Sequence, residues 1–247
     1  VARAFEADAS DEVDQSFHLD RFDAAAGVVA REFGLEIWVV AFDGEDGVVI
    51  QEATLEALEN GFKLKQTFDA VRAITAKVDT PVLVMTYWNP VIQYGIENFA
   101  RDLAAAGGAG LITPDLIPDE AKEWLEISDK YELDRVFLGT PSSSPERMKV
   151  ACDLSRGFVY AVSTMGITGA RAEVDANARK VVAKVREASS TANTAVGIGI
   201  STADQVVEVN SYSDGAIVGS AFVRAYAEGG VEALKAKTLE LSARLKN

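Results

Sequence analysis

Cysteine and histidine are almost missing from this chain, whose 247 residues hold one of each, Cys152 and His18. A single cysteine excludes an internal disulfide, and with a single histidine it excludes the usual thiolate and imidazole zinc sets. Cys152 falls in a helical stretch, where a small buried hydrophobe is its expected role. No low-complexity or linker-like stretch divides the chain, and no apolar run approaches the roughly 20 residues needed to cross a bilayer. Residues 1–15 are acidic and lack the apolar core of a secretory leader. Basic residues are also in deficit, with 24 Lys and Arg against 38 Asp and Glu and a net charge of −14. That balance disfavours nucleic acid and anionic membranes as partners, and the carboxylates read as solvated helix faces. A cytoplasmic protein is the expectation.

What the chain does have is a regular alternation. Apolar content is 48%, enough for a large core. Runs of strand length occur at 35–42, 82–87, 110–113, 135–138, 158–162, 195–198 and 216–218. Continuous Val, Ile and Leu are the mark of parallel strands covered on both faces. Between them, helix-period segments are expected at 50–59, 96–106, 120–130, 145–154 and 177–188. The βαβα order predicts one α/β domain over 1–247, a (β/α)8 barrel, for which about 250 residues is typical. The eighth strand must come from the first thirty residues. VARAFEADAS makes a poor first strand, and 14–33 reads as a first helix with Phe17, Phe22, Val28 and Val29 as apolar anchors. An open doubly wound sheet would carry a G-x-G-x-x-G turn after its first strand, and none stands there.

Two glycine breaks near the C-terminus carry the chemistry, VGIGIS at 196–201 and AIVGSAF at 216–222. Each is an apolar strand that stops at glycine where a helix should begin. Two such turns one βα unit apart can cradle a phosphate, because glycine admits close approach and helix N-terminal N–H groups face the anion. In a barrel this cradle follows the seventh and eighth strands. Polar residues near other strand ends are candidates for the mouth: Glu36 and Asp46, Tyr87 and Asn89, Asp115, Tyr160 and Ser163. The segment 163–171 has two glycines around Thr168 and suits a lid. No lysine lies within a legible strand, which counts against a Schiff-base aldolase, so cleavage would rest on carboxylate acid–base chemistry.

Over residues 81–223 the chain resembles the tryptophan synthase α subunit family, particularly its actinobacterial members, through VMTYWNPVIQYG, GLITPDLIPDEA, GFVYAVSTMGITGAR, VGIGIST and DGAIVGSAFV. EDGVVIQEATLEALENG extends the likeness upstream, whereas residues 1–45 resemble it little. The resemblance implies a barrel that cleaves indole-3-glycerol phosphate to indole and glyceraldehyde 3-phosphate by a retro-aldol step, with no metal and no cofactor of its own. Pyridoxal phosphate would belong to a partner β subunit. It implies Glu36 as acid and base, with Glu32 as the other register, and Asp46 on the indole N–H. Tyr160 would stand beside the glutamate. Gly169, Gly199, Gly219 and Ser220 would hold phosphate, while Tyr87, Asp115 and the lid residue Thr168 would border the substrate. The chain departs from the family pattern at Trp38, where the family has glycine, at AFDGE and at LGTP.

Each of these residues also has an architectural reading. Asp46 could cap a helix, Tyr160 fill the barrel interior, Asp115 cap a helix start, and the glycines serve only tight turns. Two rival functions stay open. One is a remodelled barrel that keeps the phosphate site and acts as a binding partner of a β subunit. The other is a barrel of the indoleglycerol phosphate synthase kind, which wants a lysine at a strand end.

Overall fold

The computed structural model describes residues 25–30, 36–42, 48–162, 171–197 and 199–244. One sheet runs through β1 (Ala25–Ala30), β2 (Glu36–Phe42), β3 (Val82–Thr86), β4 (Gly110–Ile112), β5 (Asp134–Val136), β6 (Leu138–Gly139), β7 (Val159–Val162), β8 (Thr194–Gly197) and β9 (Gly215–Val218). Its spatial order is β5-β4-β3-β2-β1-β9-β8-β7-β6. The two outermost strands, β5 and β6, are separated in the chain by Phe137 alone. The Phe137 carbonyl accepts the Tyr160 N–H at 3.0 Å. The sheet therefore meets itself along one stretch of chain and closes as a barrel, with the fifth barrel strand split into β5, which pairs with β4, and β6, which pairs with β7.

All pairings are parallel except those of β1, which is antiparallel to both β2 and β9. This corrects the helix expected over 14–33, since 25–30 is strand; the rest of that span lies outside the described residues. The spacing of Val28 and Val29 fits a helix, but β2 and β9 each present a row of unpaired backbone groups, and a short strand of small and β-branched residues satisfies both. Pairing overrides the local pattern here. The expected strand in 1–10 also lies outside the described residues.

Helices cover the sheet: α1 (Val48–Glu59), α2 (Lys65–Thr75), α3 (Trp88–Tyr94), α4 (Ile96–Ala105), α5 (Lys122–Lys130), α6 (Pro145–Leu154), α7 (Arg171–Ala188), α8 (Ala203–Asn210) and α9 (Ser220–Ser242), the last kinked at Gly229 and Gly230. Strand side chains alternate between two burials. Leu83, Met85, Ile112, Val136, Ala195 and Ile217 belong to one buried cluster in the barrel interior, with Tyr160 and Leu138 packed against it. Their neighbours point outward into two helix-covered clusters. One contains Val82, Val84, Leu111, Phe99, Leu103 and Trp124. The other contains Val159, Val196, Val218, Val181, Val206 and Phe222.

Among the described residues, Arg135 is the charged one that is buried, only 7% exposed. Its guanidinium donates to the Leu154 carbonyl at 2.8 Å, Ser128 Oγ at 2.9 Å and Asp129 Oδ1 at 2.6 Å, tying the ends of α5 and α6 to the barrel foot. That contact holds the Asp129 carboxyl below the usual carboxylate range, helped by Arg156.

Candidate active site at the barrel mouth

The C-terminal strand ends bring together the turns after β8 and β9. These strands are neighbours, with Gly197 opposite Ile217, so the turns stand side by side. After β9, Gly219 is the N-cap of α9 and offers no side-chain acceptor, and the first turn holds no acidic residue. The opening N–H groups of a helix have no intrahelical acceptor, and its N-terminus carries about half a positive charge. The Ser220 hydroxyl lies in that first turn. No side chain caps this helix start.

After β8, Gly199 has φ +70°, and a Cβ placed on it would meet nothing within 4 Å. The left-handed backbone suits glycine, and the open space over its Cα lets a ligand approach closely. Ile200 next to it is 1% exposed and anchors the turn in the outer core. Beyond it, Ser201 and Thr202 N–H groups donate to Gln205 Oε1 at 2.6 and 3.2 Å, and Thr202 Oγ1 accepts the Gln205 N–H at 3.4 Å. This capping box closes the start of α8 from within.

Tyr160 stands next to the turn after β8. It lies in β7, half-buried against the interior cluster, and its hydroxyl packs on Gly197 so closely that a Cβ there would fall 2.3 Å from the oxygen. Its place is that of an interior aromatic at the strand next to the β8 turn. On the other side of the mouth, Tyr87 is the extended residue before α3. Asp115 turns both carboxylate oxygens to the Trp88 N–H, at 2.8 and 3.0 Å. Asp115 thus caps the start of α3, one βα unit earlier in the chain, and not the helix that follows it, which the architectural reading expected. Asp115 fixes the turn that carries Tyr87.

The sequence gives no hint of the Lys184 contact. From α7 its ammonium donates to the carbonyls of Pro141 at 2.7 Å and Ser143 at 3.0 Å, holding the loop after β6 against α7. The pattern of α7 marks Lys184 only as a helical polar residue, so no local signal could have found it.

Glu36 is not brought to this group. It opens β2 and pairs with Ala30, while the mouth end of β2 is Phe42, opposite Thr86. Six residues of strand put its backbone about 20 Å from that end. The resemblance matched a glutamate in sequence, but the strand begins at this residue, so the register leaves it at the barrel foot. Asp46, Thr168, Gly169 and the alternative Glu32 lie outside the described residues; in the chain, Asp46 falls between the mouth end of β2 and the start of α1. Among the described residues, no group of three His, Cys, Asp or Glu is placed to hold a metal ion. Cys152 is buried, and burial pushes its thiol pKa up. It borders a separate cavity of about 250 Å³ near the start of β7, with Ser155, Gly157, Thr191 and Asn193.

The fold is that of a β/α barrel whose C-terminal face carries two glycine turns side by side. The family model for the tryptophan synthase alpha chain matches residues 25–246. The tryptophan synthase alpha chain of Leifsonia xyli is 61% identical over 197 residues, covering 80% of this chain and 75% of its own. That of Mycobacterium avium is 53% identical over 200 residues, covering 81% and 73%. Among solved structures, aminoacrylate-bound tryptophan synthase from Mycobacterium tuberculosis superposes with a TM-score of 0.76 at 45% identity, covering 85% of this chain and 81% of its own. A structure of the Pyrococcus furiosus tryptophan synthase a2b2 complex gives 0.74 at 39%, covering 80% and 81%. The chain belongs to the tryptophan synthase alpha chain family.

Proposed function

We propose that this chain cleaves indole-3-glycerol phosphate to indole and glyceraldehyde 3-phosphate as the alpha chain of a tryptophan synthase. Family membership carries the reaction, and the open start of α9 beside Gly199 supports the phosphate end of it. In the step, the side-chain hydroxyl next to the indole gives up its proton and becomes the aldehyde. The carbon–carbon bond breaks, and its electron pair stays on indole C3, which takes up a proton. No electron acceptor is required. Gly199, Gly219 and Ser220, with Gly169 from the segment before α7, would bind phosphate through N–H groups and the Ser220 hydroxyl. That would place the indole across the mouth, bordered by Tyr160, Tyr87 and Thr168.

Asp46 is the strand-2 carboxylate whose chain position follows the mouth end of β2, and it would hold the indole N–H and stabilise charge developing on the ring. The acid–base role that the resemblance gives to Glu36 conflicts with the register of β2. A β subunit is the proposed partner, as in the a2b2 complex of the Pyrococcus relative, and pyridoxal phosphate would be its cofactor and not this chain's. A cytoplasmic setting fits this role.

Steady-state release of indole from indole-3-glycerol phosphate, with a β subunit present, tests the assignment. Asp46→Asn is expected to lower kcat by about 100-fold or more, the scale of a lost catalytic carboxylate. Glu36→Gln is expected to leave it unchanged. An unchanged rate in Asp46→Asn would remove Asp46 from the mechanism, and a collapse in Glu36→Gln would refute the placement of Glu36 away from the chemistry.

A further inference from the structure

Two helix starts stand side by side at the mouth, those of α8 and α9, and either could attract a phosphate. They are treated differently. The start of α9 has no side-chain cap, whereas the Ser201 and Thr202 N–H groups at the start of α8 are both taken by Gln205 Oε1. We infer that Gln205 is a positioning residue for phosphate binding: by occupying the N–H groups before α8, it fixes the Gly199 turn and directs the anion to the start of α9. The inference rests on the phosphate reading of the mouth given above.

The tethers explain how. Before the N-cap Thr202, the chain is held by Ile200, buried in the outer core. Directly after it, the chain is held by the Ser201 and Thr202 N–H groups on Gln205. Gly199 immediately precedes both anchors in its left-handed conformation, with open space over its Cα. Without the Gln205 oxygen, two N–H groups lose their acceptor and must find water or the anion itself. The turn then loses one of its two anchors, and a phosphate meets a mobile edge where a fixed one stood. Gln205 touches neither the phosphate nor the reacting carbons in this account. Its effect is on geometry, and it should appear in phosphate affinity and not in indole affinity.

Calorimetric titration of the full chain with inorganic phosphate, and separately with indole, tests this. Gln205→Leu is expected to weaken phosphate binding about tenfold, the order of two lost amide hydrogen bonds, with indole affinity unchanged. Gln205→Asn, one methylene shorter and unable to reach both N–H groups, is expected to lose affinity in the same direction and serves if the leucine variant does not fold. Thr202→Ala removes the other half of the capping box while leaving the Gln205 contacts to the backbone. It is expected to lower the melting temperature yet keep phosphate affinity within about twofold. Equal phosphate loss in Thr202→Ala and Gln205→Leu would reduce Gln205 to a helix cap and overturn the inference. Wild-type phosphate affinity in Gln205→Leu would do the same. Absence of phosphate binding in the unmodified protein would overturn the phosphate reading itself, and this inference with it.

Discussion

Gly197→Ala puts one methyl group into the tightest contact at the mouth. The added Cβ would lie 2.3 Å from Tyr160 Oη, 2.9 Å from Cζ and 3.0 Å from Cε1. Carbon and oxygen tolerate about 3.4 Å, so the ring edge must retreat by roughly 1 Å. Tyr160 has little freedom to do so, because its ring is rigid and packs against the interior cluster. Overpacking of this kind costs about 1–3 kcal/mol. In a chain of this size, that lowers the melting temperature by about 2–12 °C. Tyr160→Phe removes the nearest atom and should restore part of the loss, leaving the Cζ contact to account for the rest. A double-mutant cycle on thermal or denaturant melts would measure the coupling, expected at about 1 kcal/mol in favour of the pair. If the two substitutions add within about 0.3 kcal/mol, the hydroxyl is not what Gly197 makes room for, and the link between β7 and the β8 turn fails.

Two more outcomes follow from contacts elsewhere. Asp115→Ala removes both acceptors of the Trp88 N–H and should cost about 1 kcal/mol, as loss of a helix cap does; a melt indistinguishable from wild type would show that Asp115 does not hold the start of α3. Asp134 is pushed above the usual carboxylate range chiefly by burial, with Arg156 and Arg135 opposing. A raised acid pKa means that ionisation works against folding, so the penalty is absent below the unfolded pKa of about 3.9 and fully present above the folded one. Asp134→Asn should therefore be more stable than wild type at pH 7, with the difference vanishing near pH 3. A gap of equal size at both pH values would exclude the titration.

The turns after β8 and β9 were readable because their signal is local. Gly199, Gly219 and Ser220 mark turns by residue type alone, and a strand breaking into a helix leaves a short-range pattern. The strands on the parallel arc were readable for the same reason, as runs of β-branched residues. Long-range geometry was not. Nothing near Asp115 says that its carboxylate reaches Trp88, 27 residues back, and nothing near Lys184 points to the loop after β6. The direction of β1 depends on the open edges of β2 and β9, which exist only once the rest of the sheet is built. The position of Glu36 along β2 was not legible for a related reason: motif matching fixes a residue's neighbours in the chain, whereas its distance from the mouth depends on where the strand begins.

The break at Phe137 also bears on how this barrel is held together. Among the described strands, β5 bonds to β4 and β6 to β7, so on this side the two halves of the sheet are joined through one split strand and the backbone bonds from the Arg156 and Tyr160 N–H groups to the Arg135 and Phe137 carbonyls. Each half has its own outer core, one under α2 to α5 and the other under α7 to α9, with α6 contributing to both. The interior cluster, which takes Leu83, Met85, Ile112 and Val136 from one half and Ala195 and Ile217 from the other, is what couples the two outer cores across the Phe137 break.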